Sequence, residues 1–184
     1  MYVKERNRKE IEARLDKMGD YMKMGYLAAC LKNPIDFDTR KFVLVRLSGL
    51  YEARNMFLDA GKMIKAAADI NTTYQGKITD FIKACGLFIR AGDYESADVC
   101  MKRAIAVANE KQKGEIKRNV KEFYKVWGRF YFENGKRKQA MKAYEKLWNF
   151  DLEDVEKAEV REKLLEIYEK LGRIREYNSL KGSY

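Results

Sequence analysis

The sequence predicts an all-α protein of antiparallel helical hairpins, about ten helices in all, and three observations carry that prediction. Apolar residues recur with helical period almost throughout, and glycine-led polar pairs separate one periodic stretch from the next. There is one proline, Pro34, in 184 residues. Proline breaks helices and strands alike, so a chain this poor in it suits helices joined by short glycine or asparagine loops. No segment alternates with period two between turn residues, so no sheet is expected.

The period is plainest at Ile78, Phe81, Ile82, Cys85, Phe88 and Ile89, which share one helix face. Ala97, Cys100, Met101, Ala104, Ile105 and Ala108 repeat it. Between them stands Gly92-Asp93, a helix-terminating glycine before a helix-starting aspartate, so the two stretches form an antiparallel hairpin. The same punctuation is read at Gly19-Asp20, Gly61-Lys62, Gly135-Lys136 and Gly172-Arg173, giving intervals of 42, 31, 43 and 37 residues between the glycines. Five hairpins follow, at about 3–33, 37–72, 74–110, 114–149 and 153–181, within one domain of residues 1–184. Ile174, Tyr177 and Leu180 mark a last amphipathic helix that caps the array. Tyr26, Leu27 and Leu31 near the other end read as core or as a dimer surface, and a monomer is expected.

Composition narrows the class. Hydrophobic residues make up 46% and charged residues 36%, an ordinary ordered composition at the charge-rich end. Cys30, Cys85 and Cys100 cannot all pair and form no CxxC, so neither a disulfide framework nor a zinc knuckle is indicated and a reducing compartment is the natural setting. The first twenty residues lack the apolar run of a signal peptide, and no stretch is long enough to cross a bilayer. A cytoplasmic location without membrane attachment is expected.

The fourth hairpin carries Tyr124-x2-Trp127-Gly128-x2-Tyr131, then Asn134-Gly135, then Ala140-x3-Tyr144-Glu145-Lys146. It resembles a tetratricopeptide repeat, in which the small Gly128 and Ala140 let two helices approach while Tyr124, Tyr131 and Tyr144 fill the gaps around them. The third hairpin keeps Phe81, Phe88, Gly92, Ala97 and Ala104, with Cys85 where the family usually has glycine. The second keeps Phe57, Gly61 and Ala66, the last keeps Tyr168 and Gly172, and the first only Gly19-Asp20-Tyr21. Leu152 stands where the family has its proline. The resemblance implies an α-solenoid of stacked hairpins, an irregular member of the superfamily with longer repeats, acting as a protein-interaction scaffold.

No histidine is present, which removes imidazole acid–base steps, the usual serine and cysteine triads and histidine-held metals. Gly76-Lys77-Ile78-Thr79 lacks the upstream glycine and adjacent hydroxyl of a phosphate loop and reads as a helix-lead turn. The cysteines fall on or beside apolar faces, as do Trp127 and Trp148, and core packing accounts for them. Glu159, Glu162, Glu166 and Glu169, interleaved with Arg161, Lys163 and Lys170, are the ordinary dress of a solvated helix. No catalytic role, cofactor or metal is expected.

Charge is the informative feature, because the net +10 is unevenly spread. Residues 109–150 carry twelve basic and five acidic side chains, a net of +7, and residues 151–184 carry seven and nine, a net of −2. Lys113, Lys117, Lys121, Lys125 and Arg129 follow at four-residue intervals with Arg118 beside them, on a helix whose apolar face is Ile116, Val120, Phe123, Trp127 and Phe130. Like charges at that spacing cost about 1 kcal/mol over four pairs, so the ridge predicts an acidic partner. The resemblance puts Lys125 and Arg129 in the concave groove, with Lys83 and Arg90 from the preceding hairpin. Asn55 and Phe132 complete the groove candidates. The family's carboxylate clamp would fall on Tyr51, Asn55, Lys83, Glu122 and Val126, of which only Asn55 fits, so a chaperone-tail adaptor is not expected. Two readings result: an adaptor for an acidic peptide or protein, or an RNA-binding helical repeat in which the same ridge meets phosphates while Phe132 or Tyr124 stacks on bases.

Overall fold

A computed structural model describes residues 3–182. It contains ten α-helices and, among the described residues, no strand: α1 (Arg8–Leu15), α2 (Asp20–Cys30), α3 (Phe37–Ala53), α4 (Phe57–Ile70), α5 (Tyr74–Ala91), α6 (Tyr94–Ala106), α7 (Glu110–Glu133), α8 (Arg137–Trp148), α9 (Asp154–Lys170) and α10 (Ile174–Gly182). The first three expected spans each contain one consecutive helix pair, whereas α7 begins four residues before the fourth span, at Glu110, and α10 ends one residue past the fifth. The chain divides into two compact units, Met1–Ile116 and Lys117–Tyr184, with the division falling inside α7. None of the helices is long and apolar enough to cross a membrane.

The helix starts are set by short polar side chains that accept the otherwise unpaired first-turn N–H groups. Asp36 accepts from the Thr39 amide at 2.8 Å, Thr73 from that of Gly76 at 3.1 Å and Asp93 from that of Ser96 at 3.1 Å. Gly76 thus lies in the first turn of α5, as the helix-lead reading expects. It is held to glycine by space, since a Cβ there would fall 2.3 Å from the buried Asn71 side chain.

Four of the five hairpins turn in the same way. Gly92, Gly135 and Gly172 adopt left-handed backbone, at φ 78°, 69° and 67°. The amide after each donates to a carbonyl five residues back, Asp93 to Phe88 at 2.9 Å, Lys136 to Tyr131 at 2.8 Å and Arg173 to Tyr168 at 2.8 Å. The second hairpin departs from the expected punctuation. Its left-handed residue is Asn55, at φ 59°, and the following Met56 amide donates to the Tyr51 carbonyl at 2.9 Å. Asparagine tolerates this conformation because its short polar side chain offsets part of the Cβ clash. The turns at 55, 92, 135 and 172 therefore recur at 37, 43 and 37 residues, more evenly than the glycines suggested. Gly61 instead lies inside α4, where a Cβ would meet the Phe88 ring at 2.9 Å. Gly19 ends no helix either; it precedes α2 as the N-cap, at φ −70°.

In the unit Met1–Ile116, Val3, Ile11, Leu15, Tyr26, Leu27, Cys30, Val43 and Leu47 form one core cluster, so Tyr26 and Leu27 are core rather than surface. Ala60, Ile64, Ala67 and Ala68 of α4 are buried, and Phe81, Cys85, Phe88, Ala97, Cys100 and Ala104 of α5 and α6 are buried with them. All three cysteines are free and buried, and burial pushes the Cys100 thiol up to about 11. Two ion pairs join α3 to α5, Lys41–Asp80 at 3.6 Å and Arg90–Glu52 at 3.7 Å.

In the unit Lys117–Tyr184, Tyr124, Tyr131, Ala140, Ala143, Tyr144, Leu147, Val160, Leu164, Ile167 and Tyr168 are buried. A Cβ on Gly128 would sit 3.5 Å from the Tyr144 ring, an ordinary contact, so the tight glycine contacts are at Gly61 and Gly76 rather than here. Phe130, placed by periodicity on the apolar face of α7, is 41% exposed, and the buried line runs through Val120, Tyr124 and Tyr131.

Substitutions at Asn55 and Gly61 check these assignments by thermal or denaturant unfolding. Asn55→Gly raises stability by up to about 1 kcal/mol, whereas Asn55→Ala lowers it by about 1 kcal/mol. Gly61→Val lowers it by about 2 kcal/mol, because the fully packed Phe88 ring has nowhere to move.

Candidate functional site

The basic ridge on α7 has an answer within the chain. Lys121 Nζ lies 2.9 Å from Glu156 of α9, Lys125 makes a close ion pair with the same carboxylate, and Lys125 also reaches Glu122 at 3.2 Å. Arg129 lies 3.5 Å from Glu159. The acid-rich stretch after residue 150 thus folds one helix whose acids face the lysines of another, and the i,i+4 repulsion along α7 is offset by that neighbour.

Glu156 is well placed to do this. It is the third residue of α9, and its carboxylate accepts from the Glu153 amide at 3.1 Å in a capping box. With Lys125 and then Lys121 donating to it as well, its carboxyl is lowered to about 2. Lys125 is raised in turn, chiefly by its hydrogen bond to Glu156.

The other ridge residues divide. Lys113 lies 2.7 Å from Glu110 one turn earlier. Lys117 and Arg118 are exposed and make no ion pair with the described residues. Asn55, Lys83 and Arg90 fall in the first unit: Asn55 is a turn residue, Lys83 is exposed, and Arg90 lies against the Phe57 ring at 3.8 Å as well as near Glu52. Phe132, in the second unit, is half-buried with the Lys163 ammonium 4.8 Å over its ring. Tyr124, named with Phe132 as a base-stacking candidate, is fully buried and cannot stack on a ligand.

What the ridge borders is a cleft of about 250 Å³ between α7 and α9. Its lining includes the buried Tyr144, Leu147 and Val160, with Lys125, Val126 and Arg129 from α7 and Glu156 and Glu159 from α9. Its α7 edge is exposed to solvent. Val126 is 59% exposed and Phe130, four residues on, 41%, and the Arg129 side chain is 65% exposed. Periodicity missed this strip, because it counted Phe130 as core and Val126 only as a failed clamp position. The exposed valine one turn before an exposed phenylalanine was the available signal.

No group of three or more Cys, Asp or Glu side chains among the described residues is placed to hold a metal ion.

The Glu156 pairing predicts an acid-sensitive α7–α9 contact. The carboxyl is held below its ordinary 4.5, so its contribution is complete above about pH 4.5 and is lost as pH falls toward 2. Glu156→Gln lowers stability at pH 7 by about 1–2 kcal/mol and flattens the loss between pH 4.5 and 2, measured by urea unfolding across pH.

No family model matches the chain, and no curated protein matches it.

Proposed function

We propose that this protein is a non-catalytic, cytoplasmic scaffold of the tetratricopeptide-like α-solenoid class that takes an extended peptide, acidic and apolar by turns, along the α7–α9 cleft. The observation that carries the reading is the cleft itself: an apolar floor of Tyr144, Leu147 and Val160 beside an exposed, loosely paired Arg129. Its volume suits one or two side chains rather than a whole metabolite, since pockets for small ligands run to about 300–1,000 Å³. A peptide carboxylate would take Arg129 from Glu159, while the neighbouring apolar side chain seats between Val126 and the floor.

Two further features support a repeat scaffold. Four hairpin turns share one backbone geometry, and ion pairs join the first helix of one hairpin to the first helix of the next within each unit, α3 with α5 and α7 with α9. RNA on the same ridge is less well supported, because Lys121 and Lys125 are engaged by Glu156 and Tyr124 offers no exposed ring.

Selection of a displayed random-peptide library on the intact protein tests the reading. The expected winners combine Asp or Glu with Leu, Ile or Phe, bind in the micromolar range by fluorescence anisotropy, and weaken about tenfold with Arg129→Glu or Val126→Asp. Enrichment of basic peptides, or binding indifferent to both substitutions, would overturn it.

A further inference from the structure

A run of exposed cations without an ion pair opens α8. Lys136, Lys138 and Lys142 are exposed, and among the described residues no carboxylate stands within ion-pairing distance of any of them. Lys138 and Lys142 are four residues apart and point the same way, about 6 Å along the helix axis. Arg137 stands between the first two, exposed, with Glu166 acting on it only from a distance. The one acid of α8, Glu145, is turned aside, accepting from the Tyr168 hydroxyl at 3.0 Å.

The start of α8 reverses the habit of the rest of the chain. Eight of the ten helices carry an acidic residue in the first turn, where the helix dipole favours it. α8, like α5, carries none; Lys136 stands at its N-cap and Arg137 and Lys138 open it, with no side chain capping its amides. Repulsion along α7 is offset by α9; α8 has no corresponding acidic neighbour for Lys136, Lys138 and Lys142.

We propose that this face of α8 binds the phosphate backbone of duplex DNA without reading its sequence. The choice among anionic partners follows from what the face lacks. No large apolar residue between Phe130 and Val155 is strongly exposed, so there is neither an anchor for an acidic protein's hot spot nor a wedge to enter a membrane. On α8, Tyr144 is buried and Trp148 is half-buried with Lys157 5.5 Å over its ring, so neither offers a stacking platform for single-stranded bases. A helix about 10–12 Å across matches a B-form major groove about 12 Å wide, whereas the A-form groove of duplex RNA is too narrow to admit it. The site is separate from the peptide cleft, so neither proposal depends on the other.

Fluorescence anisotropy of the full chain with a labelled 20-base-pair DNA, against duplex RNA, single-stranded RNA and phosphatidylserine vesicles, tests it. Three to four phosphate contacts predict that DNA affinity falls about 40- to 150-fold between 50 and 200 mM salt. The triple variant K136E/K138E/K142E loses at least tenfold at 50 mM. K9E/K17E/K32E, which changes the net charge equally at three exposed lysines of the first unit, keeps wild-type affinity. Both variants are melted first; acids at the start of α8 favour the helix, and K136Q/K138Q/K142Q gives the same loss should the reversed variant prove unstable. Equal loss in the two triple variants, no DNA binding at 50 mM, or preference for either RNA or for vesicles would each overturn the proposal.

Discussion

The hydrogen bond that closes a left-handed turn, from one amide to the carbonyl five residues before it, reverses the chain at Asn55, Gly92, Gly135 and Gly172. Everything else in the hairpins depends on it. Only a residue that tolerates positive φ can make the turn, so the four positions are restricted to glycine or asparagine. Once the chain is reversed, each apolar stripe has a partner stripe to face. Small residues can then be spent inside helices, as at Gly61 against Phe88 and Gly76 against Asn71.

Electrostatics in the second unit follows from that packing. Lysines at four-residue spacing on α7 are a liability to an isolated helix, but α9 brings Glu156 and Glu159 against them. Glu156 serves twice, capping its own helix and joining two lysines of another. The charge imbalance between residues 109–150 and 151–184 is thus in part an internal complementarity. The ridge is better described as one wall of a cleft than as a free basic surface.

Subtracting the paired charges changes where a partner would be sought. Arg129 stays open enough to exchange Glu159 for an incoming carboxylate, and Val126 and Phe130 supply the apolar contact that a pure charge ridge lacks. On α8 the opposite holds: charge without apolar surface, at a helix start where charge of that sign is disfavoured. The two faces differ in chemistry, and the peptide proposed for the first and the phosphate backbone proposed for the second follow from that difference.

Much of the fold was legible in the sequence, because helical period, caps and turn residues act locally. The ten helices, the helix start at Asp93 and three of the four left-handed turns follow from residues within a few positions of each other. Asn55 was missed because asparagine makes such turns less often than glycine, and Gly61 was misread because its reason for being glycine, the Phe88 ring, lies 27 residues away. The site was less legible for the same reason. Sequence by itself determined that α7 would carry a line of cations; only tertiary structure decided which of them meet Glu156 and Glu159, which aromatics are buried, and which lysines are left facing solvent. Charge pattern is a property of one helix, whereas neutralisation depends on the helix packed beside it.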